Sequence, residues 1–377
     1  MLITEILDDY RPYYNEEINA AMQRIAHSAY FEALSAYVYP GCDPEEIKKQ
    51  ICAYTTIDEF QFEVMKAVNE QVIARSITHF SYSGLDKLDR AKRYMFISNH
   101  RDIMLDATLL QYALYLEGHQ TSEITFGSNL MHPQEAVDIG KSNKMFKIIR
   151  GGTAREIFTN SLNVSSYMRY TLTEKHQSTW IAQRNGRTKD GMDKTEVAVL
   201  KMFAMSSKKP FAENLAELNI TPIAVSYEYE PCDFLKTREI YLSRRHRYEK
   251  APGEDLNSIL HGITQSKGNT HFTFCETVTP AELAECAELP HSEQFKALAA
   301  IIDKNIYAGY KLWKTNYIAH DILGKKSEFS DKYSISDQEK FTLYMENGLE
   351  KIEGDKEELC EIFLGIYANP VNSKIKF

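Results

Sequence analysis

An apolar run that ends abruptly in Ser98-Asn99-His100 constrains this chain most. Tyr94 to Ile97 is too short and too apolar for a solvated segment, and the Leu- and Ala-rich pattern from Ile103 to Tyr115 has helical spacing. A buried strand followed at once by a helix belongs to an α/β sheet, and ligands bind such sheets at the C-terminal ends of their strands. A histidine delivered there, with Asp102 and Asp106 close behind it, suits general base chemistry. Imidazole titrates near neutral pH, and a carboxylate can orient it.

The same alternation continues along the chain. Short apolar runs predict strands near 80–82, 94–98, 124–126, 146–149, 179–182, 220–227 and 271–275. Helical periodicity predicts helices near 103–115, 154–174, 194–205 and 256–264. The expected fold class is therefore α/β, a largely parallel sheet sandwiched by helices, with helical N- and C-terminal extensions. The expected division is an N-terminal helical region over 1–79, an α/β domain over 80–290 and a C-terminal helical region over 291–377. In the first region Ile18, Met22, Ile25 and Ala29 share a helical face, with Leu34 and Val38 following. Pro40-Gly41 breaks the run, Asp43-Pro44 starts a second helix, and a third covers 57–77. In the last region the apolar face of Phe295, Leu298, Ile301 and Ile302 predicts one long helix over 293–322. Two further helices are expected at 338–353 and 357–367.

Charge narrows the function. The 377 residues carry a net charge of −9, which argues against general nucleic-acid binding. Against that acidic average, residues 141–209 hold 14 basic and 5 acidic side chains, among them Lys144, Lys147, Arg155, Arg184 and Lys189. Such a cluster predicts an anionic ligand. Arg150 and Arg187 stand beside glycines at predicted strand ends, where backbone can approach a phosphate closely. Lys194, Lys208 and Lys209 read as a solvated face.

Other chemistries lack their motifs. There is no Gly-x-Ser-x-Gly elbow, no Gly-x-x-x-x-Gly-Lys phosphate loop and no dinucleotide-binding glycine pattern. The six cysteines have no metal-like spacing, and His119, His132, His176, His246 and His271 have no metal-like partners nearby, so no metal is expected. Scattered cysteines suit free thiols in a reducing compartment. The acidic start has no signal-peptide layout, and no apolar run approaches the ~18 residues of a membrane span. The expected location is the cytoplasm, with at most peripheral contact at the inner face of the membrane.

Four blocks, in order, resemble the glycerol-3-phosphate and lysophosphatidic acid acyltransferase superfamily. Asn99-His100 followed by Asp106 resembles the block that carries the catalytic histidine and aspartate. The stretch 144–150, an apolar strand ending in Arg150, resembles the second block. Residues 180–189, Trp-Ile-Ala-Gln-Arg-Asn-Gly-Arg-Thr-Lys, resemble the third, in the form found in soluble chloroplast glycerol-3-phosphate acyltransferases. Residues 220–228 resemble the fourth. The likeness covers roughly 80–280 and leaves the helical ends unexplained.

The resemblance implies an O-acyltransferase of phospholipid biosynthesis. A fatty acyl group would pass from a thioester, acyl-CoA or acyl carrier protein, to a hydroxyl of glycerol 3-phosphate or a lysophospholipid, with no further cofactor. His100 would be the general base and Asp106 its orienting carboxylate. Arg187, with Arg150 and Lys189, would hold the acceptor phosphate, a task that suits the fixed fork of guanidinium. The alternatives are an amino-acid-derived lysolipid as acceptor, or a non-catalytic lipid- or phosphate-binding protein of the same fold.

The chain departs from the pattern twice. Five residues, not four, separate His100 from Asp106, and one residue is ~100° of helix rotation. Asp102 therefore stands as the alternative partner of His100, although its place before an apolar helical run also suits an N-cap. Asp106, flanked by Leu105, Ala107, Leu109 and Leu110, should be buried and so needs a partner. In the third block Gln183-Arg184-Asn185 replaces the Glu-Gly common in the superfamily, leaving Gly186-Arg187 intact.

Overall fold

The computed structural model describes residues 7–149 and 151–376. Arg150, one of the three expected phosphate ligands, lies outside the described residues.

Seven strands form one mixed sheet: β1 (Ile77–Ser83), β2 (Met95–Ser98), β3 (Glu123–Gly127), β4 (Met145–Ile148), β5 (Thr179–Ala182), β6 (Ile220–Tyr227) and β7 (Gly268–Phe274). Their order is β1-β7-β6-β2-β5-β3-β4, and every pairing is parallel except β6 with β7. The α/β class with a largely parallel sheet and helical ends is therefore observed. β2 lies near the centre, buried along its whole length, so its C-terminal end opens at the middle of the sheet edge.

Strand alternation builds two cores from one strand. Met95 and Ile97 of β2 pack with Ile181, Ala224 and a helical layer formed by α7 (Ala154–Thr173), α8 (Val197–Ala204), α9 (Phe211–Ala216), α12 (Pro280–Ala287) and α13 (His291–Gly309). Phe96 points the other way, with Trp180, Val225 and Phe272, onto α4 (Lys66–Ser76) and α5 (Leu105–Leu116). The remaining N-terminal helices α1 (Asn15–Ala26), α2 (Phe31–Val38) and α3 (Pro44–Ala53) form their own apolar cluster, and α6 (Gln134–Ser142) lies between β3 and β4. A fourth cluster unites α10 (Asp233–Ser243), α14 (Lys314–Gly324), α15 (Ile335–Leu349) and α16 (Lys356–Ile375). The helix α11 (Glu254–Thr264) connects α10 to β7.

Three sequence expectations need correction. The single helix over 293–322 is two, α13 and α14. Gly309 ends α13 where a Cβ would meet Cys275 Sγ at 2.8 Å, Tyr310 then turns extended, and Asn316 restarts the helix by accepting from the Trp313 N–H at 2.8 Å. The first helical run also breaks, between α1 and α2. Around 57–77 the helix passes through a π-helical turn at Phe60–Met65, and β1 begins at Ile77 rather than at Phe80. Among the described residues no helix is long and apolar enough to cross a membrane.

Candidate active site

The site grows from the end of β2. Strand pairing between β2 and β6 stops at Ser98 and Ile223. Asn99 extends it with its side chain, donating to the Val225 carbonyl at 2.9 Å and accepting from the Val225 N–H at 2.7 Å. A side-chain amide can mimic a ladder residue in this way while the backbone is free to turn. The His100 carbonyl then accepts from the Thr188 N–H at 2.7 Å, tying the turn to the segment after β5. Trp180 donates its indole N–H to Ser98 and meets the imidazole edge-on, ring centroids 5.8 Å apart.

His100 Nδ1 lies 2.9 Å from Asp106 Oδ2. The same oxygen accepts backbone N–H groups from Arg101 at 2.5 Å and Asp102 at 2.9 Å, and Oδ1 accepts the Tyr227 hydroxyl at 2.8 Å. Asp106 is fully buried, and the Arg101 and Asp102 amides and the Tyr227 hydroxyl all present donors to it. With Asp106 as acceptor, the imidazole donates from Nδ1 and its Nε2 carries the lone pair. The extra residue between His100 and Asp106 is absorbed because 101–104 are not helical. The helix starts at Leu105, and the turn wraps its amides around a carboxylate in the first helical turn, where N–H groups are unpaired.

Asp102 does other work. Its Oδ1 accepts from the Met104 N–H at 2.9 Å and the Leu105 N–H at 2.8 Å, which starts α5. Its Oδ2 has no hydrogen-bond partner and lies against Gly262 of α11. Burial and then the Asp106 charge raise its carboxyl above the usual range, with Arg187 opposing.

A buried ion cluster lies behind the turn. The fully buried Arg101 guanidinium donates to Asp193 and, at 3.1 Å, to Glu230. Burial opposes its charge, but the two carboxylates outweigh that and hold the guanidinium well above its ordinary range. Lys236 of α10 donates to Glu230 at 2.5 Å and to the Arg101 carbonyl at 2.7 Å. The sequence reading missed Arg101, Asp193, Glu230, Lys236 and Tyr227. Arg101 meets Asp193 and Glu230 across 92 and 129 residues, so no local spacing signals the cluster.

The basic segment 141–209 does not form one wall. Lys144 turns to Thr121, and Lys147 pairs with Asp9. Arg187 does reach the site. With Gly186, Ile103, Asn129, Leu130, Lys250 and Asp255 it lines the pocket that contains His100, and its Nη1 has no partner. A neighbouring open groove continues over Arg184, Lys189 and Arg244, where the Lys189 ammonium is held by Glu239. Glu228 lies outside the pocket and accepts from the backbone N–H and the side-chain amide of Asn269. Among the described residues no group of His, Cys, Asp and Glu is arranged to hold a metal. All six cysteines are free thiols.

No protein-family model matches the chain. No curated protein matches it. Among solved structures it is similar to the 1-acyl-sn-glycerophosphate (LPA) acyltransferase PlsC from Thermotoga maritima, with a TM-score of 0.37 and 12% identity over 78% of this chain and 96% of that one.

Proposed function

We propose that this protein is an O-acyltransferase that moves a fatty acyl group from a thioester to a hydroxyl of a phosphorylated glycerol acceptor. One observation carries the reading: His100, with Nδ1 held by Asp106, shares a pocket with the Arg187 side chain. The four sequence blocks that resemble glycerolipid acyltransferases support the same assignment.

Arg187 receives the acceptor phosphate, while Lys250 and Lys189 at the rim are paired with Asp255 and Glu239. His100 Nε2 takes the proton of the acceptor hydroxyl as its oxygen attacks the thioester carbonyl carbon. Asp106 stabilises the imidazolium that forms. The tetrahedral adduct collapses by breaking the C–S bond, and the imidazolium returns its proton to the departing thiolate. Ester and free thiol are the products, with no covalent enzyme intermediate.

The test uses labelled acyl-CoA and acyl carrier protein as donors. Glycerol 3-phosphate, lysophosphatidic acid and an unphosphorylated lysolipid serve as acceptors. His100→Ala should lower turnover by on the order of 10²–10⁴-fold. Unchanged turnover would remove His100 as the base, and no transfer by the unaltered protein to any acceptor would defeat the acyltransferase reading.

A further inference from the structure

The buried cluster behind the His100 turn has a directional arrangement. Lys236 is 1% exposed, and its ammonium touches the Arg101 carbonyl oxygen at 2.7 Å. That carbonyl belongs to the same peptide unit as the Asp102 N–H, which donates to Asp106 Oδ2 at 2.9 Å. A cation on a carbonyl oxygen draws electron density through the peptide and makes its N–H a stronger donor. The Lys236 charge thus acts on the carboxylate that holds His100, across one peptide plane.

Glu230 holds Lys236 itself, and Asp233 holds the helix that carries it. Glu230 holds its ammonium at 2.5 Å while also binding Arg101. Asp233, at the start of the same helix, accepts the hydroxyls of Tyr344 at 2.8 Å and Tyr367 at 2.7 Å, from α15 and α16. The Tyr367 oxygen in turn accepts from the Glu230 N–H at 3.0 Å. The C-terminal helices, which the sequence blocks leave unexplained, are therefore hydrogen-bonded to Glu230 and to the first residue of the helix that carries Lys236. Taking an ammonium out of water is costly, and apolar side chains of similar volume often replace buried ion pairs without loss of stability. Lys236 offsets that cost with hydrogen bonds to Glu230 and to the Arg101 carbonyl.

We infer that Lys236 is a positioning residue for the His100–Asp106 pair, acting through the 101–102 peptide, and that α15 and α16 brace the helix that carries it through Asp233. The inference rests on the acyltransferase reading only for its effect on turnover, because its effect on the imidazole is measurable without substrate.

The experiment uses the full chain with ¹⁵N-labelled histidine. The His100 signals are those missing from His100→Gln. In the unaltered protein they should show the Nδ1–H tautomer. Lys236→Met and, separately, Glu230→Gln should shift them toward a mixture with Nε2–H. In the acyl-transfer assay kcat should fall on the order of ten- to a hundredfold, with the acceptor KM little changed. Ile51→Ala, in the N-terminal apolar cluster, serves as a control for destabilisation alone and should leave the tautomer unchanged. If both charge variants keep the Nδ1–H tautomer, or if Ile51→Ala shifts it equally, the positioning role is overturned. A protein that shows the tautomer shift but transfers no acyl group would overturn the proposed reaction and leave the positioning role standing.

Discussion

The Tyr227 hydroxyl donates to Asp106 Oδ1 at 2.8 Å, so the two oxygens of one carboxylate are held by different parts of the fold. Oδ2 belongs to the turn after β2, and Oδ1 to the last residue of β6. Replacing Tyr227 with Phe keeps the ring and leaves Oδ1 buried without a donor. The expected cost is about 1–3 kcal/mol of unfolding free energy. Urea unfolding of Tyr227→Phe measures it, and an unchanged midpoint would count against the contact.

Asp102 and Asp106 should separate cleanly. In Asp106→Asn the amide oxygen can still accept from Arg101, Asp102 and His100, so the tautomer persists while the charge facing the imidazolium is lost. Turnover should fall on the order of 100-fold or more. In Asp102→Asn the oxygen can still accept from Met104 and Leu105. Burial disfavours the Asp102 charge, so this variant should be no less stable at pH 7 and should turn over within a few-fold of the unaltered protein. A larger loss in Asp102→Asn than in Asp106→Asn would reverse the assignment.

Arg187 and Lys189 should also differ. Arg187→Ala removes the guanidinium that lines the His100 pocket, and the KM for a phosphorylated acceptor should rise by on the order of tenfold, since charge-assisted hydrogen bonds contribute ~1.5–3 kcal/mol. The Lys189 ammonium is already held by Glu239, so Lys189→Ala should raise it much less. Equal effects on KM would show that the Glu239 pair opens to substrate.

Stability should fall with rising pH in one acidic window. Burial raises the Asp303 carboxyl to about 6, with the Thr195 hydroxyl and N–H opposing. The unfolded carboxyl titrates near ~3.9, so between about pH 4 and 6 the folded state binds more protons than the unfolded one. The Asp303 contribution therefore diminishes through that window and is flat above it. Asp303→Asn should remove that part of the slope, at most about 3 kcal/mol between pH 4 and 7. Unfolding midpoints of the variant and the unaltered protein at pH 4.5 and 7 decide the point, and parallel pH profiles would refute it.

The sequence by itself determined the seven strands and the place of the histidine. The runs at Tyr94–Ile97, Thr179–Ala182 and Ile220–Tyr227 are apolar because both faces of a central strand are covered, and that burial leaves a legible pattern. His100 was visible for the same reason, as a polar residue where the apolar run stops. Only the tertiary structure decided which carboxylate meets the imidazole. Spacing alone rotates Asp106 away on a continuous helix, whereas the observed chain delays the helix to Leu105 and wraps two amides around Asp106. The break at Gly309 and the Arg101–Glu230–Lys236 cluster also lay beyond the sequence. Close approach of α13 to β6 and β7, and ion pairs closed across about a hundred residues, depend on which surfaces the fold brings together. Local periodicity carries no record of that.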